Sequence, residues 1–362
     1  MVFELSDEIE QIIDDIEEPD APESRAINKL FELMKENKHI VYAKRNLLIK
    51  LKDFKYINFD NKKYIDQILQ QYIDIYSSIR NIKKRMLVVP NNLSESNDWI
   101  IELKKCSKLT RAKLSADNPD DAEFYISVFS YMNTNKLYTV NFENSSFCGS
   151  NAERYLNAMD EELNIILAIS DSDKEYENCD LGNTAKKVIN AVNNAKNAIM
   201  EYYIIGVREI ENLIPIDFYS LISNSNVDLL LDCIKNFSQN EEFMKYVNIK
   251  DGVSNYCLDN ADEKWHKLYD DFIQMCKENG IYNRKEDGYR SKICVKGIGS
   301  NQINRIRVKL FKKDNQLNFE ILGTNYDRKD CMPQYIINEW SNIYNYLLNY
   351  GCALKPAHNS FL

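Results

Sequence analysis

Asn164-Ile-Ile-Leu-Ala-Ile-Ser170 runs directly into Asp171-Ser172-Asp173. An unbroken apolar run bounded by polar residues predicts a strand buried on both faces, as in the middle of a parallel sheet. It delivers two acids at its carboxyl end. Around it, Asn151 to Glu162 and Thr184 to Glu201 have helical spacing, the latter with Val188, Ile189, Val192, Ala195 and Ile199 inward. Tyr202 to Val207 follows as a second apolar strand, and Lys136 to Phe142 has strand composition. Asp117 to Met132 predicts a helix with an acidic first turn and Pro119 near its start. Strands alternating with helices imply an α/β fold with a mostly parallel sheet flanked by helices.

This core is assigned to residues 91–225. Residues 1–90 read as a helical extension. Phe3 to Ile16 carries Ile9, Ile12, Ile13 and Ile16 on one face, and Pro19-Asp-Ala-Pro22 breaks it. Arg25 to Asn37 and a long helix from Lys62 to Arg85 follow, after which Met86-Leu-Val-Val-Pro90 is strand-like. Residues 226–362 read as a mixed α+β C-terminal region. Its helices are Asp228 to Phe237, Trp265 to Asn279 and Tyr335 to Tyr350. A hairpin pairs Ile306, Val308 and Leu310 with Leu317, Phe319 and Ile321.

The 362 residues, 44% of them apolar, can bury a substantial core, and 28% charged residues are ordinary for a globular protein. No apolar run approaches the roughly 18 residues that span a bilayer, and no secretory signal opens the sequence. Nine dispersed cysteines without a Cys-x-x-Cys pair suit free thiols in a reducing compartment, so a cytoplasmic location without membrane is expected. The net charge of −9 argues against an unselective polyanion binder, but the charge is patterned. Residues 1–24 hold ten acids and no base; residues 35–85 hold thirteen bases and five acids. Lys44, Arg45, Lys83, Lys84 and Arg85 are the candidate phosphate-gripping residues, and the acidic segment is a candidate mimic that covers them.

Three acidic clusters end predicted strands: Asp117-Asn-Pro-Asp120-Asp121, Asp171-Ser-Asp173 and Glu209-Ile-Glu211-Asn212. Ligands of open α/β sheets bind beyond the carboxyl ends of strands. Residues two apart in extended backbone project to one side, which places Asp171 with Asp173 and Glu209 with Glu211. Any one cluster alone reads as a helix cap or a solvated loop. Together, converging carboxylates must gain protons or bind a cation, and hard oxygen donors select Mg²⁺ or Mn²⁺. Such an ion commonly bridges to phosphate, so a phosphodiester is the expected substrate.

The order of the clusters resembles the TOPRIM fold of topoisomerases, primases and OLD-type anti-phage nucleases. Asp117-Asn118-Pro119-Asp120-Asp121 with Phe124-Tyr125 resembles the family's Glu-Gly-x-x-Asp segment and its Phe-Tyr helix. Phe147-Cys-Gly149-Ser-Asn151 resembles the turn after the second strand. Ile165 to Asp173 resembles the Asp-x-Asp strand, and Glu209-Ile-Glu211-Asn212 is similar to a Glu-Ile-Glu-Asn segment of OLD-like proteins. The resemblance implies metal held by Asp171 and Asp173 with Glu209 or Glu211 assisting. It also implies a ligand or proton-transferring acid at the first strand, Asp117 with Asp121 beside it. Asp117 is one methylene shorter than the family's glutamate, and Glu143 is a candidate substitute. Lys296, in Val295-Lys-Gly-Ile-Gly299, is the candidate for neutralising the scissile phosphate. His39, His266 and His358 follow no metal spacing.

The resulting expectation is a Mg²⁺- or Mn²⁺-dependent nuclease for DNA or structured RNA in phage defence. No Walker loop is present, so ATP hydrolysis would come from a partner ATPase. A second copy of the chain is a further candidate partner. The alternative is a binding or sensor subunit with an altered site; primer synthesis is a third reading, and strand passage lacks a recognisable tyrosine domain.

Overall fold

The computed structural model describes residues 1–91, 99–135, 137–222, 232–237, 240–254, 263–279, 293–299, 302–311 and 332–355. Four short strands open the fold: β1 (Val2–Leu5), β2 (Ile40–Tyr42), β3 (Met86–Val89) and β4 (Ile100–Glu102). They form a parallel sheet in the order β2-β1-β3-β4. This corrects the reading of residues 1–90 as a helical extension. Phe3 belongs to a central strand, and the helix after it spans only Ile9–Ile12 before a 3-10 turn at Ile13–Asp15. Val2, Phe3 and Leu5 are all buried because β1 has a strand on either side and helices over it. The expected helix from Lys62 to Arg85 is two, Phe59–Gln70 and Tyr72–Ser78, broken at Gln71. Residues 1–24 are therefore part of an α/β layer rather than a detachable acidic tail.

The second sheet is built from β5 (Lys113–Ala116), then, past the separate strand β6 (Tyr138–Val140), β7 (Glu143–Ser146), β8 (Ile165–Ser170) and β9 (Ile199–Ile204). Its order is β7-β5-β8-β9 and every pairing is parallel. All six residues of β8 are buried, as its apolar run predicts. Ile165, Leu167 and Ile169 join the main core, and Ile166 and Ala168 join a second cluster with Leu156 and Val188. The strand thus feeds two layers. Helices Pro119–Met132 and Gln334–Gly351 cover one face, and Ala152–Met159 and Asn183–Asn193 cover the other.

Two boundaries moved. The second strand of the sheet is Glu143–Ser146, not Lys136 to Phe142, because β6 leaves this sheet to pair with β12 (Cys352–Leu354). The helix expected to reach Glu201 stops at Asn193, and β9 begins at Ile199. The Asp160 carboxylate makes the turn between them by accepting the backbone N–H groups of Lys196, Asn197 and Ala198 at 2.8–3.0 Å. These bonds hold its pKa below the usual carboxylate range despite some burial. Asp160→Ala should destabilise the fold by about 1–2 kcal/mol, read from urea unfolding midpoints. Below the wild-type pKa the difference should shrink, since stability carried by a depressed carboxylate is lost as pH falls.

In the C-terminal region β10 (Gly252–Ser254) pairs antiparallel with β11 (Ile293–Lys296). The expected strand at Ile306 to Leu310 is a helix, Ile303–Leu310. Ile303, Ile306 and Leu310 bury on one face while Val308 is 65% exposed, so the apparent alternation was helical spacing. Its hairpin partner, Leu317 to Ile321, lies outside the described residues. Among the described residues no helix is long and apolar enough to cross a membrane, and Cys106, Cys148, Cys179, Cys233, Cys276 and Cys352 are free thiols.

Candidate functional site

Because β5, β8 and β9 are parallel, Asp117, Asp171 and Glu209 emerge at one edge of the sheet. Asn118 caps the helix Pro119–Met132, its Oδ1 accepting from Asp121 N at 3.2 Å, and its amide donates to Asp121 Oδ2 at 2.6 Å. This turns Asp121 toward Asp117. Asp171 Oδ1 accepts from Ile210 N at 3.0 Å, which joins the second and third clusters. Glu209 and Asn212 form a reciprocal capping box on the 3-10 helix Ile210–Leu213. Asn212 also donates to the carbonyls of Met244 and Val247, both at 2.9 Å, and so draws the segment leading to Lys250 against the acids.

The geometry inside two clusters differs from the extended pairing expected. Asp173 is left-handed, with φ 54°, and Gly182 packs so closely on its carboxylate that a Cβ would fall 2.3 Å from Oδ2. Glu211 lies within a 3-10 turn. The acids converge through tertiary contacts instead. A cavity of about 120 Å³ is lined by Asp117, Asp121, Asp171, Glu211 and Lys250, among others. Asp173 and Glu209 stand just outside that lining and act on it through charge.

Burial, followed by mutual repulsion, raises these carboxyls. Asp117 is pushed up to about 6, burial leading and Asp173 next. Asp121 reaches about 7 through burial and the charge of Asp117. Glu209 and Glu211 also reach about 7, both chiefly through burial. Asp171 lies well above the usual range, and Asp173 is raised less because Arg208 and Lys250 oppose its burial. Burial alone would lower Lys250, but Glu211, Glu209, Asp171 and Asp251 carry it up to about 12. Lys250 is thus a fixed cation facing several acids.

Lys250 was not visible as a candidate. It is a single lysine in a turn, and only the Asn212 bonds and a second wrap place it. Gly297 N donates to Asp251 O at 3.1 Å and Gly299 N to Lys250 O at 2.9 Å. A Cβ on Gly297 would meet Lys250 O at 2.3 Å, so this position needs glycine. The Val295-Lys-Gly-Ile-Gly299 segment therefore cradles the turn that carries Lys250. The backbone of Lys296 pairs opposite Gly252; its side chain lies outside the described residues. Glu143 sits exposed at the amino end of β7, the wrong end of the sheet to replace a site acid.

The expected phosphate-gripping set is largely engaged elsewhere. Lys44 pairs with Asp7. Lys84 pairs with Glu201 at 3.1 Å and lies over Trp99. Arg85 pairs with Glu4 at 3.2 Å and lies over Tyr42. Arg45 and Lys83 are exposed. The acidic residues Glu4 and Asp7 do cover these bases, but as folded ion pairs rather than as a mobile mimic. His39 is buried and donates to Thr110 O at 2.7 Å, His266 pairs with Asp270, and His358 lies outside the described residues.

Asp117 Oδ1, Glu209 Oε2 and Glu211 Oε2 are buried with no hydrogen-bond partner. Free carboxylate oxygens around a polar cavity are the donor set a hard divalent ion takes. Among the described residues no three His, Cys, Asp or Glu side chains already close on one ion-sized point. Mg²⁺ does not demand that, since it is commonly held by one or two carboxylates and keeps several waters. No protein-family model, curated protein or solved structure matches this chain.

Proposed function

We propose that the chain is a Mg²⁺- or Mn²⁺-dependent phosphodiester hydrolase of TOPRIM type, acting on DNA or structured RNA in anti-phage defence, with a separate ATPase as its partner. The observation that carries this reading is the meeting of three separate acidic clusters at one cavity beside Lys250. Asp117, Asp171 and Glu211 would hold the ion, with Glu209 and Asp173 adding negative charge behind them. When bound, the ion supplies charge to the phosphoryl oxygen and acidifies a water. Lys250, kept protonated by its acidic neighbours, is placed to bind a phosphate oxygen and hold the backbone. Asp121, pushed up to about 7 and outside that ligand set, is matched to taking or giving a proton at neutral pH.

Purified protein incubated with Mg²⁺ or Mn²⁺ and plasmid, single-stranded DNA or tRNA should cut at least one of them. Cutting that survives Asp171→Asn would remove the site assignment. A second reading, a binding subunit without hydrolysis, draws on the short Asp117 arm. Binding by the wild type without any cutting would favour it.

Without metal, the site also sets a pH dependence. Asp117, Asp121, Glu209 and Glu211 bind protons more tightly folded than at their ordinary values of 3.8 and 4.5. Their contribution favours the folded chain fully below about pH 4 and is lost as pH rises through 6 to 7. The metal-free protein should therefore melt roughly 3 °C or more higher at pH 5.5 than at pH 8. Mg²⁺ or Mn²⁺ should restore most of that loss at pH 8. A melting temperature indifferent to both pH and divalent ion would contradict this.

A further inference from the structure

We propose that a cleft at the opposite end of the second sheet binds a nucleoside polyphosphate, independently of the carboxylate site. The cleft encloses about 680 Å³ between the start of helix Pro22–Lys35, the 3-10 turn Leu103–Lys108 and the residues preceding β8 and β9. That volume is in the range of ligand pockets, about 300–1,000 Å³. Asn164 lines this cleft and Asp171 lines the carboxylate cavity. Seven residues of extended chain separate them, about 23 Å at ~3.3 Å per residue.

Arg25, Lys104, Lys105, Lys108 and Lys196 all line the cleft. Lys104 is paired with Glu102 at 2.5 Å. Arg25, Lys105, Lys108 and Lys196 are exposed; Lys196 lies in the field of the Asp160 carboxylate, while Arg25, Lys105 and Lys108 have no carboxylate partner among the described residues. In a chain of net charge −9, three unpaired cations around one concavity form a local positive field that an anion would relieve.

The other walls select the kind of anion. Glu161 and Glu162 also line the cleft, so the anionic part of a ligand must lie toward the bases and away from them. The same carboxylates can accept hydrogen bonds from ribose hydroxyls. Pro22 and Leu163 offer apolar surface for a base. A compact ligand with a charged phosphate chain, hydroxyls and a flat ring uses all three.

Calorimetric titration of the full-length protein with ATP, GTP and inorganic tripolyphosphate, at low and physiological salt, tests this. Nucleotides should bind, more tightly than tripolyphosphate, and Lys105→Glu with Lys108→Glu should weaken them by about tenfold or more. Asp171→Asn should leave that affinity unchanged, which separates this site from the hydrolytic one. Both lysines are exposed, so an unchanged melting temperature would show the double variant folded. Failure of every nucleotide to bind, or equal binding to the double variant, overturns the proposal. Equal affinity for tripolyphosphate overturns the nucleotide assignment. A short single-stranded oligonucleotide that binds through these lysines where nucleotides do not would make the cleft a nucleic-acid groove instead.

Discussion

Asp171→Asn is expected to lower metal-dependent cleavage by about 10³-fold or more, the scale on which loss of a metal-held charge raises a barrier by several kcal/mol. The same substitution should raise the melting temperature of the metal-free protein at pH 8. Asp171 is 8% exposed, and burial together with Asp117, Asp121, Glu211 and Glu209 opposes its charge. Asparagine keeps an oxygen for the Ile210 N–H while removing that charge. Opposite signs for activity and stability distinguish a functional carboxylate from one that merely completes the fold. Single-turnover cleavage and thermal melting without divalent ion read the two effects. A variant that is less stable than wild type at pH 8 would mean the Asp171 charge serves the architecture.

Phe3→Ala should cost about 3–5 kcal/mol, the usual range for emptying a buried aromatic site. Phe3 is fully buried, aligns with Val41 and Met86 on the neighbouring strands, and meets the His39 ring edge-on at 5.2 Å. On the reading of residues 1–24 as an appended acidic tail, the cost would be close to nothing. Equilibrium denaturation separates the two. A variant with an unchanged midpoint would remove β1 from the centre of its sheet.

The parts of the fold legible in the sequence were those with long, one-sided or fully apolar signals. Ile165–Ser170 met that standard, as did the capped helix Pro119–Met132 and the terminal helix Gln334–Gly351. Of the N-terminal sheet, Met86–Val89 did, but the first two strands did not. Val2–Leu5 and Ile40–Tyr42 are too short to show a period, and Ile9 to Ile16 supplied a stronger helical rhythm nearby. β7 was hidden for another reason: Glu143-Asn-Ser-Ser146 is a polar edge strand with little apolar surface to bury.

That Asp117, Asp121, Asp171 and Glu211 share one cavity was legible in outline, because parallel strands place their carboxyl ends together. Their mutual geometry was not. Alternation in extended backbone implied one arrangement, whereas Asp173 is left-handed and Glu211 sits in a 3-10 turn. Lys250 was out of reach of any local pattern. Its place depends on Asn212 reaching to Met244 and Val247, and on Gly297 leaving room for the turn.

The pairing of β12 with β6, reinforced by Asn141 N donating to Gly351 O at 2.8 Å, joins segments more than two hundred positions apart. All partners of β1 to β4, by contrast, are present once about a hundred residues have been made. During synthesis on the ribosome the first layer can assemble early, as N-terminal units generally do. Tyr138–Val140 must wait with an open edge until Cys352–Leu354 emerges, so a stalled or truncated product would display that edge to other chains.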